Sequence, residues 1–445
     1  MSTRPRVVIV GGGFGGLSAA RMLAHEEVDV VLIDRTNHFL FQPLLYQVAT
    51  GVLSPADIAV PTRFLLRKSQ NTTVLLGDVT AIDLERRVIT ADAGQLTVQY
   101  DYLIVATGAR HSYFGHPEWE PLAPGLKTLD DARRIRRRFL LALEEAEKSN
   151  DPTEQDALLT FVIVGGGPTG VELAGILPAI AHKGFRGDFR RIDSSRVRVL
   201  LLEGGSRLLA AFPEQLSARA RRDLEELGVQ VRTGAMVKRV RQDGVDLDDE
   251  HIPTRTVFWA AGNAASPLIE AMGVAVDRSG RAMVSPDLSV PGHPEAFVIG
   301  DAAAVPDVSR PSADAAGPQY VPGLAAAANQ MGEHAAQMIV RALENQPRRP
   351  FRYRDRGSMA VIGRGRALAV IGRIKLTGIV AFYAWLFVHL LYLAGGFRNR
   401  ASVMLEWAYA YITYRPGARL ITAEDARASS RDEQPHESER PQARA

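Results

Sequence analysis

Short runs of apolar, mostly β-branched residues alternate with helical segments along the first half of the chain. The runs at residues 7–10 and 28–33 have the length and composition of buried strands. Residues 17–24, rich in alanine and leucine, predict a helix between them. The same order returns as a strand at residues 161–164, a helix beginning at Val171 and a strand at residues 197–202. The pattern therefore predicts two strand–helix–strand units and an α/β fold.

Further elements are predicted between and after these units. Short strands are expected at residues 73–76, 88–90 and 102–106, and helices at residues 130–148 and 324–344. The first of these helices carries clustered arginines followed by glutamates. This arrangement is more typical of a solvated helix with ion pairs than of a nucleic-acid surface, so we expect no nucleic-acid partner.

Residues 376–397 form a stretch of 22 residues without Asp, Glu, Lys or Arg. Its length is compatible with a membrane span, which needs ~20 apolar residues. Cations at both ends, internal glycines and the following aromatic segment favour a helix lying along a membrane surface, with a spanning helix and a buried helix or dimer interface as alternatives. The aromatic segment comprises Trp407, Tyr409, Tyr411 and Tyr414.

Composition and charge indicate a binding partner for the C-terminal region. The chain has 445 residues, of which 46% are hydrophobic and 23% charged, and this excludes a wholly disordered or collagen-like protein. Its net charge of +3 conceals a division, because residues 346–420 hold thirteen Lys or Arg against two acids. That region carries +11 and leaves −8 for the rest. An anionic partner, such as a lipid surface, is therefore expected for the C-terminal region.

Two absences narrow the chemistry and the location. The chain has no cysteine, which excludes thiolate nucleophiles, Cys-ligated metal or iron–sulfur sites and redox-active disulfides. No metal site is predicted. The apolar run at residues 7–10 is too short for a signal peptide, whose apolar region spans ~7–15 residues, so we expect the body of the protein in the cytoplasm.

Each strand–helix–strand unit contains the spacing G-x-G-x-x-G before its helix. The glycines let the main chain approach a pyrophosphate at the helix N-terminus, and an acid after the second strand accepts hydrogen bonds from ribose hydroxyls. Asp34 and Glu203 occupy these acid positions. A carboxylate repels a 2′-phosphate, so Glu203 favours NADH over NADPH, although Arg207 nearby weakens that exclusion. The glycines are Gly11, Gly13 and Gly16 in the first unit and Gly165, Gly167 and Gly170 in the second.

Two dinucleotide sites in this order resemble the two-dinucleotide-binding-domain flavoproteins, which bind FAD at the first site and NAD(P)H at the second. Residues 106–108 (ATG), 259–262 (WAAG) and 300–302 (GDA) resemble further motifs of that superfamily. The resemblance implies two Rossmann-like, glutathione-reductase-like domains and a C-terminal helical membrane-anchoring region. The implied FAD residues are Gly11, Gly13, Phe14, Gly15, Gly16, Asp34, Arg35, Val79, Thr107, Gly108 and Asp301, and the implied NADH residues are Gly165, Gly167, Pro168, Thr169, Gly170, Glu203 and Gly262.

This resemblance also implies a domain organisation. A discontinuous FAD domain would comprise residues 1–125 and 280–345, and an NADH domain residues 126–279. Residues 346–422 would form the membrane-association region. The polar, charge-mixed residues 423–445 are predicted to be a disordered tail.

Without cysteine, electrons must pass directly from the flavin to a second substrate. The chain resembles the type II NADH:quinone oxidoreductases from Arg6 to about residue 422. Residues 41–51 (FQPLLYQVATG) resemble the segment that passes beside the flavin towards the quinone tunnel. The resemblance implies that Tyr46, Gln47, Glu172 and Gln330 are catalytic.

The same resemblance implies a reaction and a location. NADH would be oxidised through FAD, and a membrane quinone, either menaquinone or ubiquinone, would be reduced without proton pumping. The enzyme would lie on the cytoplasmic face of the membrane as a peripheral or monotopic protein, and a homodimer is left open.

One departure from the family pattern leaves the acceptor open. The quinone-site helix of the family carries A-Q-x-A-x-Q, whereas residues 325–330 here read AAAANQ, with Ala326 at the first glutamine position. The loss of that amide puts quinone identity and affinity in doubt. Two alternatives are a soluble NADH-dependent reductase of a ferredoxin-like partner and a nucleotide-binding redox sensor.

Overall fold

The computed structural model describes residues 4–307, 319–413 and 417–421. Its first large sheet has six strands, and its neighbouring strands are parallel except for one antiparallel pair at an edge. The apolar residues of the central strand Arg6–Val10 are at most 4% exposed, as expected for a strand covered on both faces. In spatial order the strands are Ser289–Val290, His293–Val298, Tyr102–Val105, Arg6–Val10, Asp29–Asp34 and Thr72–Leu76.

Two helices cross against this sheet with almost no space between them. We call Phe14–Met22 the first glycine helix and Ala325–Leu343 the alanine helix. A Cβ atom at Gly332 would overlap the carbonyl oxygen of Gly15, so the crossing requires glycine. Ser18 Oγ donates a hydrogen bond to Asn329 Oδ1 at 2.9 Å beside this crossing.

Smaller elements surround the first sheet. A three-stranded antiparallel sheet contains Val79–Asp83, Val88–Ala91 and Leu96–Gln99, and His38–Leu40 pairs with Ala59–Pro61. Short helices occupy Leu45–Ala49, Pro55–Ile58 and Thr62–Leu65, after a 3₁₀ turn at Gln42–Leu44.

The second large sheet has four parallel strands and repeats the first arrangement. We call Pro168–Ala179 the second glycine helix; it continues into a π-helical turn, Ile180–Gly184. Other helices are Leu129–Lys148, Pro152–Leu158, Glu214–Glu226 and Pro267–Ala271. The four strands are, in spatial order, Val229–Thr233, Arg198–Glu203, Thr160–Val164 and Thr256–Trp259; the smaller strands of this part are Arg239–Val240, Gly244–Asp246 and His251–Pro253, and Ala109–His111 paired with Asn263–Ala265.

The two predicted strand–helix–strand units are present. The observed bounds of the predicted strands, and of the predicted helix now seen at Leu129–Lys148, lie within three residues of those expected. The α/β fold with two dinucleotide-binding units is therefore confirmed. The first glycine helix begins at Phe14, earlier than the expected residue 17, because helical structure starts inside the glycine loop.

The C-terminal region begins with a sheet that the sequence analysis did not predict. Residues 346–357 first run along the body of the protein, where Phe351 N–H donates to Pro286 O at 2.7 Å. Strands Ser358–Gly363, Arg366–Ile371 and Ile374–Thr377 then form an antiparallel meander. A Gly-Arg-Gly sequence with Gly365 at a φ of +70° makes its first turn.

This meander packs directly on the second glycine helix. A Cβ atom at Gly175 would overlap the carbonyl oxygen of Ile362, so only glycine admits the strand there. Arg366 reaches Glu226 at 2.5 Å on the neighbouring helix. Arg348 pairs with Asp287 at 3.0 Å, and Arg419 with Asp188 at 2.6 Å. The basic region is thus partly neutralised by acids of the body.

Two helices follow the meander, Gly378–Tyr392 and Gly396–Thr413, which we call the C-terminal helices. The charge-free residues 376–397 therefore comprise a strand end, a 15-residue helix, a turn and the first two residues of the second C-terminal helix. Within the described ranges, the structure contains no helix with the length and apolar character needed to cross a membrane. Tyr414 and the predicted disordered tail at residues 423–445 lie outside the described residues.

Replacement of Gly332 by Ala should destabilise the protein. The new methyl group overlaps the Gly15 carbonyl, and overpacking of this kind costs about 1–3 kcal/mol of unfolding free energy. Urea denaturation measures the loss. Gln337→Ala, on an exposed position of the same helix, is the control and should change the free energy by less than about 0.5 kcal/mol. Equal stability of the two variants would contradict the glycine crossing.

Candidate active site

The first glycine loop joins the central strand of the six-stranded sheet to the first glycine helix. Gly11 adopts a φ of +102°, and its N–H donates to Ile33 O at 2.8 Å. A Cβ atom at Gly11 would overlap the carbonyl of Ala106, and one at Gly16 would overlap the carbonyl of Gly11. A Cβ at Gly13 would meet no protein atom within 4 Å, so the loop presents its backbone to open space. This geometry is that of a phosphate-binding turn.

Asp34 lies beside this loop, at the end of its strand. Its Oδ2 accepts the Gly12 N–H at 2.5 Å, and its Oδ1 accepts both the Thr36 N–H at 2.6 Å and the Thr36 hydroxyl at 2.7 Å. These bonds fix the carboxylate where the sequence places a ribose acceptor. Arg35 follows as an exposed residue, and Val79 is half-buried in its strand.

The remaining candidate residues of the first site offer polar groups and open space that FAD could use. Thr107 Oγ1 is buried without a hydrogen-bond partner among the described residues, and it therefore awaits a polar group. Gly108 has a φ of +65° and faces open space. Asp301 lies in the 3₁₀ turn Gly300–Ala302, and Phe14 packs edge-on against Phe39 at 5.0 Å. An unpaired acceptor, an acid and a glycine loop at one sheet edge fit this cofactor.

The second glycine loop repeats the geometry of the first. Gly165 has a φ of +112°, and its added Cβ would lie 2.6 Å from the Ala260 carbonyl carbon. Glu203 Oε2 accepts the Gly166 N–H at 2.6 Å, and Oε1 accepts the Gly205 N–H, also at 2.6 Å. Glu203 therefore has the same relation to its loop as Asp34 has to the first.

Other residues expected at the second site surround this loop. Pro168 and Thr169 begin the second glycine helix, where the missing N–H of proline costs no helical bond. Gly262 has a φ of +73°, and Phe114 Cζ would lie 2.7 Å from its Cβ. Arg207 donates to the carbonyls of Phe212 and Ala210 at 2.9 and 2.8 Å. The guanidinium is thus held by its own loop.

Tyr46 and Gln47 lie on the short helix Leu45–Ala49, and both are buried. Gln47 Nε2 donates to Tyr46 Oη at 2.8 Å, and Trp407 Nε1 on the second C-terminal helix donates to Gln47 Oε1 at 2.6 Å. Burial is the main cause that raises the pKa of Tyr46 well above its usual value, followed by Tyr411 and Glu172 nearby. The hydroxyl therefore keeps its proton at neutral pH.

Glu172 lies just after the first turn of the second glycine helix, which the helix Leu45–Ala49 contacts. Its removal from water raises the pKa of this carboxyl to about 8, and a backbone hydrogen bond from Val361 opposes the rise. At neutral pH Glu172 is therefore mostly protonated. The structure brings Glu172 into electrostatic contact with Tyr46, as its effect on the tyrosine pKa records.

Gln330 lies on the alanine helix and is tied to the main chain of the basic region. Its Nε2 donates to Arg354 O at 3.1 Å, and its Oε1 accepts the Arg354 N–H at 3.0 Å. Nε2 also lies 3.2 Å from the carbonyl oxygen of Ala326. The amide therefore joins the alanine helix to the C-terminal region. Its catalytic role stays a prediction.

Several aromatic residues near the site carry no clear signal in the sequence. Trp407, expected at a membrane interface, is buried with 4% of its surface exposed, so that expectation is wrong. Trp385 stacks on His389 at 4.1 Å and lies 5.8 Å from Trp407. Burial lowers the pKa of His389 to about 4, so the imidazole is neutral, and Phe41 meets it edge-on at 6.1 Å. Residues 403, 407 and 411 are spaced four apart, and this spacing is the sequence signal for a helix face that packs against the protein.

Lys127 is a second residue that the sequence analysis missed. Burial lowers the pKa of its ammonium group, while the neighbouring acids Asp301 and Asp131 act in the opposite direction. Its carbonyl accepts a hydrogen bond from Gln42 Nε2 at 2.9 Å. No motif marks this lysine, because it precedes an ordinary helix N-terminus.

Comparison with known proteins places this geometry in a family. Residues 5–332 match the family described as pyridine nucleotide-disulphide oxidoreductase. The chain is 44% identical to the type II NADH:quinone oxidoreductase Ndh of Mycobacterium tuberculosis, over 97% of this chain and 93% of that protein. The chain belongs to the type II NADH:quinone oxidoreductases. A second relative, NdhA of the same organism, is 43% identical over 95% of this chain and 90% of its own length.

A solved structure supports the fold of this family member. The chain superimposes on NDH2 from Plasmodium falciparum in complex with NADH with a TM-score of 0.84, at 22% identity, covering 93% of this chain and 99% of that chain. The 44% identity to the Mycobacterium tuberculosis enzyme confirms the family assignment made from the sequence motifs. The individual site residues stay predictions.

Replacement of Glu203 by Ala should weaken the preference of this type II enzyme for NADH. The carboxylate accepts hydrogen bonds at the loop and repels a 2′-phosphate, and a charged hydrogen bond is worth about 1.5–3 kcal/mol. We expect the ratio of kcat/KM for NADH to that for NADPH to fall about tenfold or more in steady-state assays. Glu214→Ala, at an exposed helix start, should keep the ratio. An unchanged ratio in Glu203→Ala would refute the assigned role.

Proposed function

We propose that this chain oxidises NADH through a bound FAD and reduces a membrane quinone without pumping protons. The overall reaction converts NADH, one proton and quinone into NAD⁺ and hydroquinone, so that two electrons and two protons reach the acceptor. The observation that carries the proposal is a polar cluster, the pair of buried side chains Tyr46 and Gln47, which bond to each other and to Trp407 of the second C-terminal helix. Glu172, half-buried on the second glycine helix, lies near enough to raise the pKa of Tyr46.

The two glycine loops supply the cofactor sites of this proposal. The first loop, with Asp34, Thr107 and Asp301, would hold FAD, which supplies an acceptor for hydride and a donor of electrons when bound. The second loop, with Glu203, would hold NADH. Both loops lie at carboxyl ends of parallel strands, where such ligands bind in this class of sheet.

Glu172 is the proton-holding group of this proposal. Its pKa of about 8 means that the carboxyl is protonated below that pH and ionised above it. A protonated acid beside Tyr46 can release the one proton that NADH does not supply and can regain it from solvent. The sequence alone named no proton donor, because the raised pKa comes from burial of the carboxyl in the folded protein, which no motif records.

The quinone reductase rate should therefore depend on pH through Glu172. In the wild type we expect kcat with a quinone analogue to fall as pH rises through about 8, because the carboxyl loses its proton. Glu172→Gln should remove this dependence and lower kcat by about 10²-fold, the size of a general-acid contribution. Steady-state assays from pH 6 to 9.5 measure both.

Two controls accompany this pH experiment. Ferricyanide takes electrons without protons, so NADH:ferricyanide activity should not share the Glu172 pH dependence. Because the folded-state pKa is raised, the native state binds the proton more tightly, and the contribution of Glu172 to wild-type stability should fall between about pH 5 and 8. That fall should be absent in Glu172→Gln. A quinone profile shared by the variant and the wild type would refute the role of Glu172.

The outer surface of the C-terminal helices supports binding to a membrane. Large apolar side chains are exposed along both helices, and Phe397 is 89% exposed. Such a continuous patch marks an interaction surface. We call this set the outer apolar face: Ile379, Val380, Tyr383, Phe387, Leu391, Tyr392, Phe397, Met404, Leu405, Tyr409 and Ile412.

Cations lie at both ends of the first C-terminal helix. Arg373 and Lys375 precede it, and Arg398 and Arg400 follow it. We propose that this face lies on an anionic lipid surface at the cytoplasmic side of the membrane, as a monotopic protein, and that quinone reaches Tyr46 from there. The family name of the relatives supports quinone as the acceptor, and neither menaquinone nor ubiquinone is favoured by Ala326.

Removal of two side chains from the outer apolar face should weaken membrane binding. Burial of a large apolar side chain contributes about 1.5–3 kcal/mol, so Phe397→Ser with Ile412→Ser should reduce binding at least tenfold. Cosedimentation with phosphatidylglycerol-containing vesicles measures the bound fraction. Leu76→Ser, at a residue 61% exposed on the first sheet, should bind like the wild type. A wild-type protein that stays in the supernatant would contradict the membrane proposal and favour a protein partner.

A further inference from the structure

The second C-terminal helix has apolar residues on two opposite faces. Val403 and Trp407, one turn apart, are buried against the body, whereas Met404, Leu405 and Ile412 are exposed. The buried face alone reaches the polar cluster, through the indole N–H of Trp407. One helix therefore connects the outer apolar face with Tyr46.

The helix and the chain beyond it are hydrogen-bonded to residues 51–57, the segment that follows the short helix of Tyr46. Asn399 Nδ2 lies 3.2 Å from the carbonyl oxygens of both Ala56 and Asp57, and Ser402 Oγ donates to Asp57 Oδ1 at 2.9 Å. Beyond the helix, Ala418 N–H donates to Gly51 O at 3.0 Å. These bonds fix the position of Trp407 relative to the segment.

Two hydrogen bonds link Trp407 to Tyr46 through the Gln47 side chain, and each has only one possible donor. An indole N–H can only donate, so the group of Gln47 that faces Trp407 must be the amide oxygen. The amide nitrogen then faces Tyr46 and donates to its hydroxyl oxygen. Rotation of the amide by 180° would bring two donors together at Trp407, in a position with 1% of the glutamine exposed.

This arrangement determines where the hydrogen of the Tyr46 hydroxyl can point. Because its oxygen accepts from Gln47, the hydrogen must point elsewhere, and within the described residues it has no acceptor. The raised pKa of Tyr46 keeps this hydrogen in place. Tyr46 is thus a buried donor without an acceptor in the protein, which suits a carbonyl oxygen of the electron acceptor.

We propose that Trp407 is a positioning residue that, through Gln47, fixes the direction in which the Tyr46 hydroxyl donates to a quinone carbonyl oxygen. The proposal rests on the function proposed above. It gives the second C-terminal helix a role in the reaction in addition to membrane binding, because unseating the helix would free the Gln47 amide to rotate. Tyr46 donates a hydrogen bond only, and no bond to hydrogen breaks there.

Trp407→Phe is the direct test, since it removes the N–H and keeps an aromatic ring. We expect quinone-dependent turnover to fall about tenfold, the value of one hydrogen bond, while NADH:ferricyanide activity is retained. Trp385→Phe is the matched control. Its indole is also fully buried and adjoins Trp407, but its Nε1 has no hydrogen-bond partner among the described residues. That variant should keep quinone turnover within about twofold of the wild type.

A double-substitution cycle separates positioning from packing. Gln47→Met breaks the connection with a side chain of similar shape, and we expect it to lower quinone turnover about as much as Trp407→Phe does. The double variant should then be no slower than Gln47→Met alone, whereas independent packing defects would multiply. Ultraviolet resonance Raman spectra, which report indole N–H hydrogen bonding, should lose a strongly bonded band in Trp407→Phe but keep it in Trp385→Phe.

The outcomes distinguish a failure of the Trp407 proposal from a failure of the proposed function on which it rests. If the wild type does not transfer electrons from NADH to quinone, the proposed function fails. If the wild type does so and Trp407→Phe matches Trp385→Phe, the positioning role of Trp407 alone is overturned. Multiplicative effects in the double variant, with circular dichroism and melting temperatures unchanged, would also overturn it.

Discussion

The site depends on the contact between the C-terminal meander and the second glycine helix. Gly175 leaves room for the carbonyl of Ile362, so strand Ser358–Gly363 lies directly on the helix. That contact brings the backbone of Val361 to the Glu172 carboxyl, where its hydrogen bond opposes the rise in pKa that burial causes. The pKa of Glu172 is therefore a product of packing between two distant parts of the chain. The same meander leads into the C-terminal helices, whose Trp407 completes the cluster from the other side.

The C-terminal region has a smaller free positive charge in the folded protein than its sequence indicates, because several of its arginines form ion pairs. The +11 of residues 346–420 indicates an anionic partner, yet Arg348, Arg366 and Arg419 pair with acids of the body. These pairs join the basic region to the helix Glu214–Glu226 and to two turns of the body, and they reduce the positive charge that is left for an anionic partner. The cations that flank the first C-terminal helix are those best placed for the proposed anionic surface. The proposed attraction to lipid thus depends on the position of these cations more than on net charge.

The sequence predicts the nucleotide loops well because their constraints are local. Gly11 and Gly165 need positive φ, and the acids Asp34 and Glu203 follow at the ends of strands, so glycine spacing and strand pattern suffice. The meander was missed because the region was interpreted from its charge and from the apolar run that follows. The burial of Trp407 was missed because aromatic residues near an apolar helix are equally typical of an interface and of a core.

A helix that is apolar on two faces would aggregate if one face had no partner, and here the inner face is occupied by the protein itself. Its inner contacts are partly polar, through Trp407, Asn399 and Ser402, so their geometry is directional, while the outer face is apolar and tolerates any lipid. Hydrogen bonds fix orientation and apolar burial supplies non-directional attraction. The division therefore lets the helix hold a precise position at the polar cluster and leaves its other side free for the lipid surface proposed above.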